Sequence, residues 1–380
     1  MLNSRTPLSS AIGLGPWVVL GWIPLAVGCS SPSDGAPSTV ATTGGAQSTG
    51  ASGGTPGAGG TGAVASSGTG AVGASDPGMG GAAASEQATL VEPIDRGNGD
   101  FALELRTPDE VITFIASATN GGRISMFGVG GQNLLTGPDI NATNWGSTFW
   151  PSPQAWAWPP DPAFDSAPYT ATIDGTTVVM TSPTATVDPV GTFTVTKRFT
   201  PNLDKPSITV EYLLSNSGTA AISAACWEVT RVASGGLSFF PAGDGILTSG
   251  LSTTETDGVV WFLALPEAIT DAASPKLYAD GAEGWLGHVA GDILMVKSFP
   301  DVPSAQQARQ AVTGRRDEAE IEVYASASYV ELEEQGPYST IGPGQTLSWT
   351  VTWYVTRLPQ GMISSAGNTE LVSLARSLVN

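Results

Sequence analysis

The sequence predicts an all-β fold, a large antiparallel β-sandwich with few short helices, over residues 90–380. Three observations predict it: a hydrophobic period of two, turn residues between the alternating runs, and little helical period. Phe101, Leu103 and Leu105 alternate with Ala102, Glu104 and Arg106. A run at 111–116 follows, closed by Thr119-Asn120-Gly121-Gly122. Asp174-Gly175 turns the chain into 176–180, and the next run is 192–199. Ile208, Val210, Tyr212 and Leu214 then alternate with Ser207, Thr209, Glu211 and Leu213, ending at Asn216-Ser217-Gly218. Asp257-Gly258 leads into 259–264, and further runs lie at 293–297 and 321–325. After Gly342-Pro343-Gly344, Leu347, Trp349, Val351, Trp353 and Val355 alternate with Ser348, Thr350, Thr352 and Tyr354. Each pattern gives one apolar and one more polar face. Helices are expected only at 304–312, after Pro303, and at 369–378, where Leu371, Leu374 and Leu378 form a stripe.

The N-terminus reads differently. Arg5 and the apolar stretch from Ala11 to Leu25 form a secretion signal, and Pro16 and Pro24 interrupt it. That is short for a membrane span, which needs about 20 consecutive apolar residues. It runs into Leu25-Ala26-Val27-Gly28-Cys29, which resembles the lipobox of bacterial lipoproteins. The resemblance implies cleavage after residue 28 and acylation of Cys29, a lipid anchor in the membrane of the cell envelope. Ser30 after the cysteine implies the outer membrane. Residues 30–89 are nearly all Gly, Ala, Ser, Thr and Pro, too poor in large apolar groups to offset their chain entropy, so 29–89 reads as a lipidated linker without fixed structure. The phosphate-loop look-alikes within it (57–62 and 68–73) follow no strand and are accidents of composition.

Charge and cysteine usage narrow the function of the domain. Of 15 basic and 34 acidic residues in the chain, all but Arg5, Asp34, Asp76 and Glu86 lie beyond residue 89. The resulting excess of acid excludes nucleic acid as a partner. Apart from Cys29 the only cysteine is Cys226, set among Ala224, Ala225 and Trp227, so a buried and inert thiol is expected. The single histidine, His288, cannot build a multi-histidine zinc site and reads as structural. Asp161 with Asp165, and Glu318 with Glu320 and Glu322, give only a weak calcium pattern. No cofactor and no metal site is implied.

Two segments carry candidate chemistry. Between Trp145 and Trp158 lie four of the 11 tryptophans, followed or interleaved by prolines at 151, 153, 159, 160 and 162 that argue against regular structure. Such a rigid aromatic loop suits stacking on the C–H face of a sugar. In Tyr329-Val330-Glu331-Leu332-Glu333-Glu334-Gln335, alternation points Glu331 and Glu333 to one face and Val330, Leu332 and Glu334 to the other. By pattern alone this is a solvated acidic edge strand; at a cleft it is a base or hydrogen-bond acceptor.

Four features, taken in order, resemble the galactose mutarotase-like (aldose 1-epimerase-like) group, and within it a bacterial lipoprotein family. They are Gly121-Gly122-Arg123-Ile124 with Gly130-Gly131-Gln132-Asn133-Leu134-Leu135; the Trp/Pro loop; Lys197-Arg198-Phe199 with 208–214 and Asn216-Ser217-Gly218; and Leu332-Glu333-Glu334-Gln335. The resemblance implies a β-supersandwich and a carbohydrate ligand. It also implies a catalytic pair in which a glutamate deprotonates the anomeric hydroxyl and a histidine protonates the ring oxygen. Glu333 matches the glutamate. Where the histidine is expected the sequence reads Ala225-Cys226-Trp227-Glu228-Val229-Thr230-Arg231, so the acid is missing, a loss of roughly 10²–10⁴-fold. Glu228 or Arg231 is the group expected to point into the same cleft.

The sequence therefore predicts a membrane-anchored lipoprotein that binds carbohydrate: Trp150, Trp156 and Trp158 stacking, Lys197 and Arg231 hydrogen-bonding, Glu333 accepting a hydroxyl. The alternatives are an active sugar epimerase, mutarotase or lyase with Glu333 as base, and a structural envelope lipoprotein whose aromatic loop meets a protein partner.

Overall fold

A computed structural model describes residues 88–265, 276–308 and 318–380. The signal segment, Cys29 and the linker up to residue 87 lie outside the described residues. Strand makes up 54% of the described residues and helix 7%, an all-β architecture as the period of two requires.

All strand pairings are antiparallel. One layer runs β1 (Thr89–Asp95), β2 (Asp100–Arg106), β3 (Val111–Ser117), β4 (Arg123–Val129), β6 (Ser147–Ser152), β12 (Ile222–Ala233), β20 (Tyr329–Gln335), β19 (Ile321–Ala325) and β16 (Lys276–Gly281). The short β5 (Gln132–Asn133) folds back on β4, and β21 (Ser339–Ile341) pairs the start of β12. The second layer runs β7 (Thr170–Asp174), β8 (Thr177–Thr181), β10 (Gly191–Asn202), β11 (Ser207–Asn216), β22 (Thr346–Arg357), β18 (Ile293–Ser298), β17 (Trp285–Ala290), β13 (Leu237–Ser249), β15 (Val259–Leu263) and β14 (Thr254–Thr256). In addition β9 (Ala185–Val187) pairs β10. The long β13 joins the layers, because its first half pairs β15 and β17 and its second half pairs β16. The predicted Asp257-Gly258 turn closes β14 onto β15 with φ of 53° and 71°, the two positive values that a type I′ hairpin needs.

The alternation read from sequence decides which faces meet. Val195, Phe199, Val210, Tyr212, Trp349, Val351 and Trp353 from the second layer are buried against Leu103, Phe114, Phe127, Phe149 and Leu332 from the first. Trp353 meets Phe114 and Phe127 edge-on, and Tyr212 stacks on Phe149 at 4.7 Å. A second cluster lies on the far side of the second layer, where Tyr354, Trp261 and Trp285 pack with Leu371, Val372 and Ala375. The last three belong to the predicted C-terminal helix α2 (Thr369–Val379), capped by the Asn368 side chain accepting from Glu370 and Leu371 N–H. Among the described residues, no helix is long and apolar enough to cross a membrane.

Three expectations need correction. Of the helix expected at 304–312, the described part forms only a 3₁₀ turn at Ser304–Gln306, and residues 309–312 lie outside the described residues. The Trp/Pro segment is strand in its first half, since Ser147–Ser152 pairs with β12. Pro151 is tolerated there because its carbonyl points away from β12, accepting from Trp156 Nε1 at 3.0 Å. The missing N–H faces that same edge, so no bond between β6 and β12 is lost. Lastly, β20 is no edge strand: it lies between β12 and β19, and its Glu333 and Glu334 are buried.

Candidate functional site

Strand register assembles the site on the face of the first layer turned away from the inter-layer core. On β20, Glu331 lies opposite Arg231 and Glu333 opposite Val229 of β12. On its other side Glu333 lies opposite Glu322 of β19. On β6, Trp150 lies opposite Trp227, and on β16, Lys276 lies opposite Tyr324. Since alternate residues share a face, these side chains converge. They form a cleft of about 280 Å³ with aromatic walls from Trp150, Trp158, Trp227, Tyr324 and Tyr329. Its polar groups are Asn144, Gln154, Lys276, Glu331 and Glu333.

Glu333 sits at the base, with its side chain only 1% exposed. Oε2 accepts from Trp227 Nε1 at 2.9 Å and from Lys276 Nζ at 3.0 Å, whereas Oε1 is buried without a hydrogen-bond partner. Lys276 also meets Glu322 at 2.6 Å and lies over the Trp227 ring at 5.3 Å. Burial disfavours the Lys276 ammonium, but Glu322 and Glu333 outweigh it and hold its pKa well above the ordinary value. Burial in turn pushes the carboxyl pKa of Glu333 up against the pull of Lys276, and that of Glu322 well up. One buried cation thus serves two buried carboxylates, and the pair retains a proton above the usual carboxylate range.

Nearer the mouth, Glu331 accepts from Arg231 Nε at 2.8 Å. The Arg231 guanidinium is wholly buried, donates from Nη1 to Thr148 Oγ1 at 3.0 Å and lies over Trp150 at 5.2 Å. It underlies the cleft and positions Glu331. Behind Glu333, Gln335 Nε2 bridges Glu322 and Glu318 at 2.7 and 2.9 Å, and Glu318 accepts from Gln154 N–H at 3.1 Å. Trp158 is 55% exposed while Trp150 and Trp227 are 3%, so Trp158 is the tryptophan with a face open to a ligand. It meets Trp150 edge-on at 5.7 Å.

Of the residues expected at a site, Glu333, Trp150 and Trp158 line this cleft and Arg231 supports it. Trp156 is buried behind it, bonded to Pro151. Lys197 is elsewhere: its ammonium is buried between the layers and donates to the carbonyls of Gly121 and Gly122 at 2.8 and 3.1 Å. Burial, then the nearby Arg123, lowers its pKa to about 7. Glu228 points to the opposite face of β12 from Arg231, into the inter-layer core, where it accepts from Tyr212 and Lys297. Cys226 is buried, and burial pushes its thiol up. His288 is buried on β17 against Ser238, away from the cleft.

The weak calcium pattern is taken up by other contacts. Asp161 caps α1 (Pro162–Asp165), Asp165 accepts from Arg123 and Trp150, and Glu320 accepts from the Val302 and Gly281 N–H groups. Among the described residues no group of three or more His, Cys, Asp or Glu is placed to hold a metal ion.

Lys276, Trp227, Glu322 and Gln335 were missed as members of the site. Trp227 shares a face with Arg231, which the period of two could have revealed; Lys276 and Glu322 enter only through the pairing of β16, β19 and β20.

A family model described as domain of unknown function (DUF4380) matches residues 150–356. No curated protein matches the chain in sequence. Among solved structures, the Slr1438 protein from Synechocystis sp. PCC 6803 is similar at 13% identity and a TM-score of 0.44, over 73% of this chain and 100% of that one. A galactose mutarotase-like protein from Clostridium acetobutylicum is similar at 8% identity and a TM-score of 0.41, over 72% of this chain and 100% of that one. Galactose 1-epimerase from Lactobacillus acidophilus NCFM is similar at 11% identity and a TM-score of 0.37, over 72% and 99%.

Proposed function

This chain belongs to the family described as domain of unknown function (DUF4380), and for this member we propose that the Trp158 cleft binds carbohydrate. The observation that carries the reading is the open Trp158 face beside the carboxylates of Glu331 and Glu333 in one cleft. An apolar ring next to fixed acceptors matches a sugar, which presents C–H groups on its ring faces and hydroxyls around its rim. Glu331 and Glu333 accept hydrogen bonds from the hydroxyls, and Asn144 offers an amide at the rim. Isothermal titration of the full-length chain with neutral mono- and oligosaccharides tests this. We expect saturable binding that Trp158→Ala weakens about tenfold, or ~1.4 kcal/mol. Absence of heat across the panel, or full affinity in the variant, overturns the reading.

One observation favours turnover as a second reading: the buried, unpartnered Oε1 of Glu333 and its raised pKa suit a proton acceptor held ready at the cleft base. Lacking a histidine in the cleft, the site would have to protonate the sugar through another group. Polarimetry on the bound sugars, with Glu333→Gln as control, separates binding from anomer interconversion.

The lipobox-like sequence supports export and anchoring at the outer membrane through Cys29. Intact mass of the protein isolated from membranes should show cleavage before Cys29 and added acyl chains, and Cys29→Ala should remove both.

A further inference from the structure

We propose that the cleft selects a sugar bearing a free amine over neutral and acidic sugars. The inference rests on the carbohydrate reading and adds the charge of the ligand. Among the described residues, Glu322, Glu331 and Glu333 gather at the cleft against two cations, Lys276 and Arg231. Both cations are already engaged. Arg231 donates from Nε to Glu331 and from Nη1 to Thr148 below the cleft, with Nη2 buried and unpartnered, and Lys276 is held between Glu322 and Glu333. Glu318, bonded to Gln154 and Gln335 behind Glu333, adds a fourth carboxyl, so among the described residues the acids outnumber the positive charges even with one proton shared by Glu322 and Glu333.

The excess is available to a ligand. Glu333 Oε1 is buried, has no hydrogen-bond partner and belongs to a side chain that lines the cleft. Glu331 uses Oε1 for Arg231 and is 14% exposed toward the same space. An unpaired, buried carboxylate oxygen at the base of a cleft gains more from an N⁺–H donor than from a neutral hydroxyl. The aromatic walls act in the same direction, since an ammonium is attracted to the faces of tryptophan and tyrosine rings. The cleft already displays this preference internally, with Lys276 Nζ lying 5.3 Å from the centroids of both Trp227 and Tyr278. A carboxylated sugar would meet the surplus carboxylates and be rejected, and the chain's net charge of −19 adds to that rejection at long range.

The test is titration of the full-length chain with three trisaccharides: one of glucosamine units, its N-acetylated counterpart and one of galacturonate units. We expect the amine-bearing sugar to bind at least about tenfold more tightly than the N-acetylated one, and the galacturonate sugar not to bind. Glu331→Gln should cut the preference to within about twofold. Raising the salt concentration should narrow the preference in the wild-type chain. Equal or tighter binding of the N-acetylated sugar, or a preference untouched by Glu331→Gln, overturns the charge inference and leaves the carbohydrate reading standing. No binding of any of the three, joined to no binding of the neutral panel, overturns both.

Discussion

Replacing Lys297 with methionine should destabilise the domain by about 3–5 kcal/mol, although no ligand-facing group is touched. The Lys297 ammonium lies in the inter-layer core with no exposed surface. It donates to Glu228 Oε1 at 3.2 Å, to Thr230 Oγ1 at 2.9 Å and to a carboxyl oxygen of Glu334, beneath the Trp353 ring at 5.3 Å. Glu228 also accepts from the Tyr212 hydroxyl. Removing the cation leaves two wholly buried carboxyls without their counter-charge. Burial, then repulsion from Glu228, already pushes Glu334 up to about 8 even with Lys297 present. The volume of methionine fills most of the space, so the loss is electrostatic and not that of a cavity. Urea denaturation of the full-length chain measures it. Adding Glu334→Gln to Lys297→Met should recover part of the loss, because one of the stranded carboxyls is then gone. A single variant within about 1 kcal/mol of wild type would mean that the core network contributes little, as exposed ion pairs do.

The second large effect is a pH dependence set by His288. Its ring is buried, with Nδ1 3.0 Å from Ser238 Oγ and Nε2 without a partner. Burial, then the charge of Lys297, lowers its pKa to about 4. An unfolded histidine titrates at roughly 6.5. Between those values the unfolded chain binds a proton that the folded chain refuses, so stability falls as pH falls from 6.5 to 4. Integrated over that window the loss is about 3 kcal/mol. Carboxyls such as Glu334 oppose this. With a pKa raised to about 8, Glu334 contributes stability that is present at low pH and lost as pH rises from the carboxylate range toward 8. The two slopes are separated by comparison with His288→Gln, which keeps a polar group near Ser238 and cannot titrate. Relative to that variant, wild type should lose about 3 kcal/mol between pH 6.5 and 4. Parallel stability curves would show that His288 takes up its proton equally in both states.

Much of this protein was decided locally. Hydrophobic alternation on 208–214 and 347–355 fixed which side chains enter the core, because a strand turns successive residues to opposite faces and only one face can be dry. Asp257-Gly258 fixed a hairpin because few residues accept two positive φ values in succession. The same alternation separated Glu331 and Glu333 from Glu334, and the exposed Trp158 was visible as part of an aromatic cluster.

What tertiary structure decided was the company each group keeps. Lys197 and Arg231 look alike in sequence, each a basic residue on a β-strand; one is anchored between the layers by backbone carbonyls and the other props Glu331 at the cleft. Trp156 and Trp158 lie two residues apart, yet one closes over Pro151 and the other stays open. Lys276 joins Glu322 and Glu333 only because β16, β19 and β20 are neighbours in the sheet. Sequence period sets the face of a strand, but the identity of its neighbour comes from non-local pairing, and a charge reveals its role only when its counter-charge is in place.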